Sequence, residues 1–187
     1  MRIIGGEFKG RAIAAPQGRD TRPTGDRARE GVFNILAHAD WSPGVEGRRV
    51  LDLFAGSGAL GLEAMSRGAA FALFVETDAH ARGVIRDNIE ALGLYGSTRI
   101  HRRDATDLGQ KPAGLGEMFD LVFLDPPYAK GLGPRALAKL RAGGWIGRQA
   151  LIVFECGAEE KAETPGFALL DTRDYGAAKV LFLRPQA

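Results

Sequence analysis

The chain has 187 residues, is 45% hydrophobic and 26% charged, and carries a formal net charge of +2. That size suits one domain, or one domain with a small appendage, and it buries a core without staples. The lone cysteine, Cys156, excludes a disulfide scaffold. No apolar run reaches the ~20 residues of a membrane helix, and the opening MRIIGGEFKG lacks a signal peptide's apolar core, so a reduced, cytoplasmic compartment is expected.

Arg2 to Ala15 reads as two short strands around Lys9-Gly10, a hairpin. A Pro/Gly/Arg loop follows to Pro23. Thr24 or Asp26 then caps a helix whose apolar positions Ala28, Val32, Ile35 and Leu36 fall on one face. The loop WSPGVEG (Trp41 to Gly47) closes this N-terminal extension, residues 1–47, ahead of a main domain over 48–187. From there strands and helices alternate. Strands are expected at Arg49–Phe54, Phe71–Glu76, Thr98–Arg102, Phe119–Leu124 and Leu151–Cys156. Helices are expected to about Arg67, over Ala79–Leu92 and over Pro134–Arg141. Phe167–Thr172 and Lys179–Leu183 read as a closing antiparallel pair. The result is an α/β fold: a Rossmann-like, mostly parallel sheet with an antiparallel end. Its ligands belong at the carboxyl edge of the strands.

Gly56-Ser57-Gly58-Ala59-Leu60-Gly61 fits G-x-G-x-x-G between a strand and a helix, and Glu76 lies 20 residues beyond Gly56. Taken literally this is a dinucleotide fingerprint, and an NAD(P)-dependent oxidoreductase stays open. Charge argues otherwise. Asp52 stands at the mouth of the first strand, where it would repel a pyrophosphate. S-adenosylmethionine carries no phosphate but has a sulfonium and an ammonium, which a carboxylate attracts. On that reading the glycines admit the ligand, Asp52 supplies negative potential and Glu76 accepts from the ribose hydroxyls. Asp104 either accepts from the adenine amine or merely caps the next helix.

Asp125-Pro126-Pro127-Tyr128 ends the fourth strand. Two prolines make a stiff turn, but the set also suits a chemical task. An exocyclic amine of a nucleobase is a poor nucleophile because its lone pair is delocalised into the ring. The Asp125 carboxylate and the Pro126 carbonyl can accept its N–H groups and draw the nitrogen toward tetrahedral geometry. Tyr128 can stack on the base, and the prolines hold the arrangement still. Such a base must be unpaired or flipped out. No metal is called for, and His38, His80 and His101 show no ligand spacing.

The glycine string, Glu76, Asp104 and DPPY together resemble class I S-adenosylmethionine-dependent amino-methyltransferases. RIIGGEFKGR, RPTGDRAREGVFNIL, DLFAGSGALGLEA and Tyr175-Gly176 narrow the likeness to the RsmD family, bacterial 16S rRNA guanine-N2 methyltransferases. The resemblance implies a cofactor site built from Asp52, Phe54, Ala55, Gly56, Ser57, Gly58, Glu76, Asp104 and Ala105. It implies a catalytic set of Asp125, Pro126, Pro127 and Tyr128. The implied target is the N2 amine of one guanine in small-subunit rRNA, within a partly or fully assembled subunit and with no obligate protein partner. The same chemistry on an adenine N6 or cytosine N4, in RNA or DNA, is the nearest alternative. Composition agrees with a polyanionic partner: Arg outnumbers Lys 19 to 6, and residues 1–35 hold seven basic against four acidic side chains. Arg2, Lys9, Arg11, Arg22 and Arg29 are the expected RNA contacts.

Overall fold

The structure, a computed structural model, describes residues 1–17 and 23–187. Four helices and seven strands carry the fold among those residues: α1 (Pro23–His38), β1 (Arg49–Leu53), α2 (Ala59–Ser66), β2 (Phe71–Val75), α3 (Ala79–Leu92), β3 (Thr98–His101), β4 (Phe119–Leu124), α4 (Leu132–Ala142), β5 (Ile146–Gly157), β6 (Phe167–Tyr175) and β7 (Ala178–Pro185). One sheet contains all seven strands in the order β3-β2-β1-β4-β5-β7-β6. The first five strands run parallel, and β7 lies antiparallel to both β5 and β6. The parallel strands are apolar almost without interruption because both faces are covered. Val50, Phe74, Phe123 and Val153 face the α1–α2–α3 side; Leu51, Leu53, Val122 and Ile152 face α4 and Trp145.

Local chemistry explains the element ends. Asp78 caps α3 through the Ala81 N–H, and Gly93 ends it in the left-handed region. Helix α4 begins two residues earlier than its periodicity suggests, since Pro134 is tolerated in a first turn. Helix α1 starts at Pro23, so Asp26 lies in its first turn instead of capping it. Strand β5 extends back to Ile146 through residues whose exposed polar side chains hide the pattern.

The N-terminal hairpin differs from expectation. In place of two strands there is a single bridge, Arg2 to Ala12, with the Ile3 N–H on the Arg11 carbonyl and the Gly10 N–H on the Ile3 carbonyl. The intervening backbone bonds α2 instead. Ile4 and Gly5 N–H groups donate to the two oxygens of Glu63 at 2.9 and 2.8 Å, and the Phe8 N–H donates to Ser66 Oγ at 3.0 Å. Gly6 permits this approach, because a Cβ there would collide with the Ser66 carbonyl. Glu63 is fully buried and is paired with Arg67 at 3.0 Å and Arg29 at 3.8 Å, as a buried carboxylate must be. Ile3, Ile13 and the α1 residues Val32, Phe33 and Leu36 join the same core as the sheet.

Candidate active site

Strand β1 pairs with both β2 and β4, so the glycine loop, the Glu76 corner and the DPPY turn emerge side by side at the carboxyl edge. A cavity of about 900 Å³ opens there. Its lining includes Asp52, Phe54, Ala55, Gly56, Ser57, Glu76, Asp104, Ala105 and all four residues of Asp125–Tyr128. Of the expected cofactor set only Gly58 stays outside the lining. It caps α2 in the left-handed conformation (φ 78°) and donates to the Ala55 carbonyl, so its part is to make the turn. Phe54 (φ 57°) and Ala129 (φ 59°), both non-glycine residues in the left-handed region, flank this site; such backbone is costly and clusters at functional positions.

The glycine loop is held by carboxylates. Gly61 donates to Asp52 Oδ2 at 2.9 Å and Gly56 donates to Glu76 Oε2 at 2.8 Å. Gly61 must lack a side chain, because a Cβ would sit 2.5 Å from the Phe74 ring. Glu76 Oε1 accepts from the Asp78 N–H at 3.0 Å. Each oxygen of a carboxylate has a second lone pair, so Glu76 retains capacity for a ligand. Asp52 is 2% exposed. Burial pushes its carboxyl well above the usual range, the Gly61 N–H opposes this, and the like charges of Asp125 and Glu76 add to the rise. Among the described residues no salt bridge reaches Asp52 or Glu76.

An acidic mouth of this kind fits a cationic nucleoside and opposes a pyrophosphate. The site thus suits S-adenosylmethionine better than NAD(P). Asp104 behaves differently. Its Oδ1 accepts from both the N–H and the hydroxyl of Thr106, at 2.8 and 2.7 Å, which holds its carboxyl below the usual range. No helix follows for it to cap; residues 104–107 form a turn instead.

At the DPPY turn Pro126 is buried while Asp125 and Tyr128 are half-buried. Tyr128 Oη donates to Glu155 Oε1 at 2.5 Å. Glu155 was not singled out from sequence, although a lone acid near the end of the apolar run LIVFEC was a usable signal. Asn88 was likewise passed over. It sits on the apolar stripe of α3, is 3% exposed, and bonds the Ala14 N–H, the Ala14 carbonyl and the Ser57 carbonyl.

The expected RNA contacts divide. Arg2, Lys9 and Arg11 are exposed on the N-terminal segment, although the guanidinium groups of Arg2 and Arg11 also bond the Gly10 and Ala91 carbonyls. Arg22 lies outside the described residues. Arg29 is buried rather than spread on the open surface, and it borders the cavity. It is 6% exposed and bonds the Arg2 carbonyl at 2.7 Å and Asp26 at 3.1 Å, beside Glu63. A buried acid needs a buried cation, and Arg29 meets that need from inside. Trp145 is fully buried and donates to the Gly109 carbonyl at 2.9 Å.

Known proteins agree with this geometry. A family model described as Conserved hypothetical protein 95 matches residues 1–184. Ribosomal RNA small subunit methyltransferase D of Escherichia coli (strain K12) is 38% identical over 164 residues, 88% of this chain and 78% of the relative. The protein of the same name from Haemophilus influenzae is 34% identical over 178 residues, 94% of this chain and 89% of its own. The solved structure of a candidate methyltransferase, yhhF, from Escherichia coli superposes with a TM-score of 0.83 at 36% identity, covering 100% of this chain and 98% of that one. Matched along nearly its whole length, and with a cofactor mouth to suit, this chain belongs to the RsmD family of methyltransferases, the family described as Conserved hypothetical protein 95.

Proposed function

We propose that the protein transfers a methyl group to the exocyclic N2 amine of one guanine in small-subunit (16S) rRNA, acting on a partly or fully assembled subunit in the cytoplasm. The observation that carries this reading is the pairing of β1 with β4, which sets Asp125 beside the glycine loop in one cavity. The names of the relatives supply the RNA.

When bound, S-adenosylmethionine supplies an activated methyl group on a positively charged sulfur. Phe54, Ala55, Gly56, Ser57 and Asp52 would hold its methionine end, Glu76 the ribose hydroxyls, and Asp104 with Ala105 the adenine. Asp125 would accept one N–H of the target amine and the Pro126 carbonyl the other. Both bonds pull the lone pair out of ring conjugation and aim it at the cofactor side of the cavity. The positive charge that develops on the amine nitrogen lies against the Asp125 carboxylate, where it is stabilised most. The surplus proton then leaves to water. Tyr128 would stack on the base, and the two prolines keep the turn from relaxing. Arg2, Lys9, Arg11 and Arg22 would contact phosphates and set the register of the RNA.

The test is incubation with methyl-labelled S-adenosylmethionine and small ribosomal subunits from a strain lacking this enzyme, with protein-free 16S rRNA in parallel. Label in the subunit rRNA supports the reading. Label in neither sample, from protein that binds the cofactor, contradicts it.

A further inference from the structure

Given the guanine-N2 reading above, we infer that Glu155 selects the base, its carboxylate accepting the N1–H of the target guanine next to the amine held at Asp125. Three features of the carboxyl edge converge on this. The last paired residues of the parallel strands are Leu53 with Val75, Leu53 with Leu124, and Leu124 with Phe154. One residue further on, Glu76, Phe54, Asp125 and Glu155 form a single row across β2, β1, β4 and β5. Neighbouring strands are ~4.8 Å apart, so Glu155 stands immediately beside Asp125, on the side away from the proposed cofactor pocket.

The second feature is the face that Glu155 shares. It is in register with Val180, and the adjacent pair is Val153 with Phe182. Glu155, Val153, Val180 and the α1 residue Val32 all line the cavity. These apolar residues around the Glu155 carboxylate suit a flat base that presents a donor, with Asp26 and Arg29 of α1 further along the same wall. The third feature is the hydroxyl of Tyr128, which holds Glu155 Oε1 at 2.5 Å. Among the described residues no hydrogen bond occupies Oε2. The tyrosine whose ring would stack on the base therefore also fixes the carboxylate that would read it.

The chemistry separates guanine from its rivals. Beside its exocyclic amine guanine carries N1–H, a donor. Adenine and cytosine carry a ring-nitrogen lone pair at the corresponding place, N1 and N3. An ionised carboxylate only accepts, so it attracts guanine and repels the other two. Flipped bases are commonly read along this edge, and a site built for a hydrogen bond rejects analogues that leave it unmade.

The test uses small subunits assembled from 16S rRNA carrying either guanine or 2-aminopurine at the mapped target. 2-Aminopurine keeps the 2-amine but has a lone pair at N1. Wild-type protein should show a kcat/KM about tenfold to hundredfold lower on 2-aminopurine, as expected for one good base contact. Glu155→Gln should lose activity on guanine and narrow that ratio to a few-fold, because its amide can donate to N1. Tyr128→Phe keeps the ring and should narrow the ratio less. Melting temperature and S-adenosylmethionine affinity of Glu155→Gln should match wild type, which separates selection from misfolding. A Glu155→Gln protein that folds and discriminates as wild type does overturns the proposal. If wild type forms no N2-methylguanosine, the guanine reading fails at the product stage, and the assignment of Glu155 falls with it.

Discussion

Asn88 Nδ2 donates to the Ser57 carbonyl at 3.0 Å, in a buried contact between the middle of α3 and the glycine loop. The same side chain holds both backbone groups of Ala14. One amide thereby ties the N-terminal segment to the wall of the cofactor site. Asn88→Ala leaves the buried Ser57 carbonyl without this partner, at about 1–3 kcal/mol. A lower urea midpoint together with weaker S-adenosylmethionine binding is expected; an unchanged midpoint would contradict the role.

Asp125→Ala removes the carboxylate that draws the amine lone pair out of the ring. Turnover should fall by about 10²–10³, the effect typical of losing one preorganised electrostatic group. S-adenosylmethionine affinity should stay within a few-fold of wild type by calorimetry. Retained turnover would remove Asp125 from the mechanism.

Glu76 makes two backbone hydrogen bonds, to Gly56 and Asp78, before any ligand arrives. Glu76→Ala should weaken S-adenosylmethionine by at least about tenfold and also lower the melting temperature, since two donors lose their acceptor. Glu76→Gln, which keeps one acceptor oxygen, should fall between the two. Equal cofactor affinity in all three proteins would refute the ribose-binding assignment.

Asp52 gives a pH signature. Its folded pKa is raised, chiefly by burial. Its contribution to stability is therefore full below the unfolded value, near 3.8, and is lost as pH rises through the folded value. Asp52→Asn removes that loss, so the unliganded variant should melt progressively higher relative to wild type as pH rises through this window. A cationic cofactor favours the ionised carboxylate. Wild-type affinity for S-adenosylmethionine should thus increase as pH rises through the Asp52 pKa, and the variant should lack that component. Parallel pH profiles for the two proteins would count against a charge role.

The arginines separate by location. Replacing exposed Arg2, Lys9 or Arg11 with Ala should raise the KM for subunits, and each lost phosphate contact should reduce the slope of log K against log salt by about 0.7–0.9. Arg29→Ala should instead lower the melting temperature and leave the salt slope unchanged, because it strips a buried partner from Glu63. A reduced salt slope in Arg29→Ala would restore it as a phosphate contact.

Much of this fold was readable because the local signals agree with one another. Helix α3 was legible from end to end because its apolar period, its Asp78 cap and its terminal Gly93 coincide. Strand β4 was equally clear, being apolar and closed by two prolines. Adjacency was not readable. Nothing local states that β1 lies between β2 and β4, and the site depends on that order. Arg29 misled for a related reason: a cation on a polar stretch of helix looks solvated until Glu63 of another helix is found beneath it. Glu155 stands out locally as a lone acid in an apolar run, but what it and Asn88 do depends on partners 27 and 31 residues away, which local pattern does not identify.

The most direct test of the central claim is the identity of the labelled nucleoside. Small subunits from the methyltransferase-deficient strain are labelled with this protein and S-adenosylmethionine, the 16S rRNA is digested, and the product is resolved by chromatography and mass spectrometry. The account predicts N2-methylguanosine at a single position. Label on an adenine N6 or cytosine N4, or spread over many positions, would contradict it.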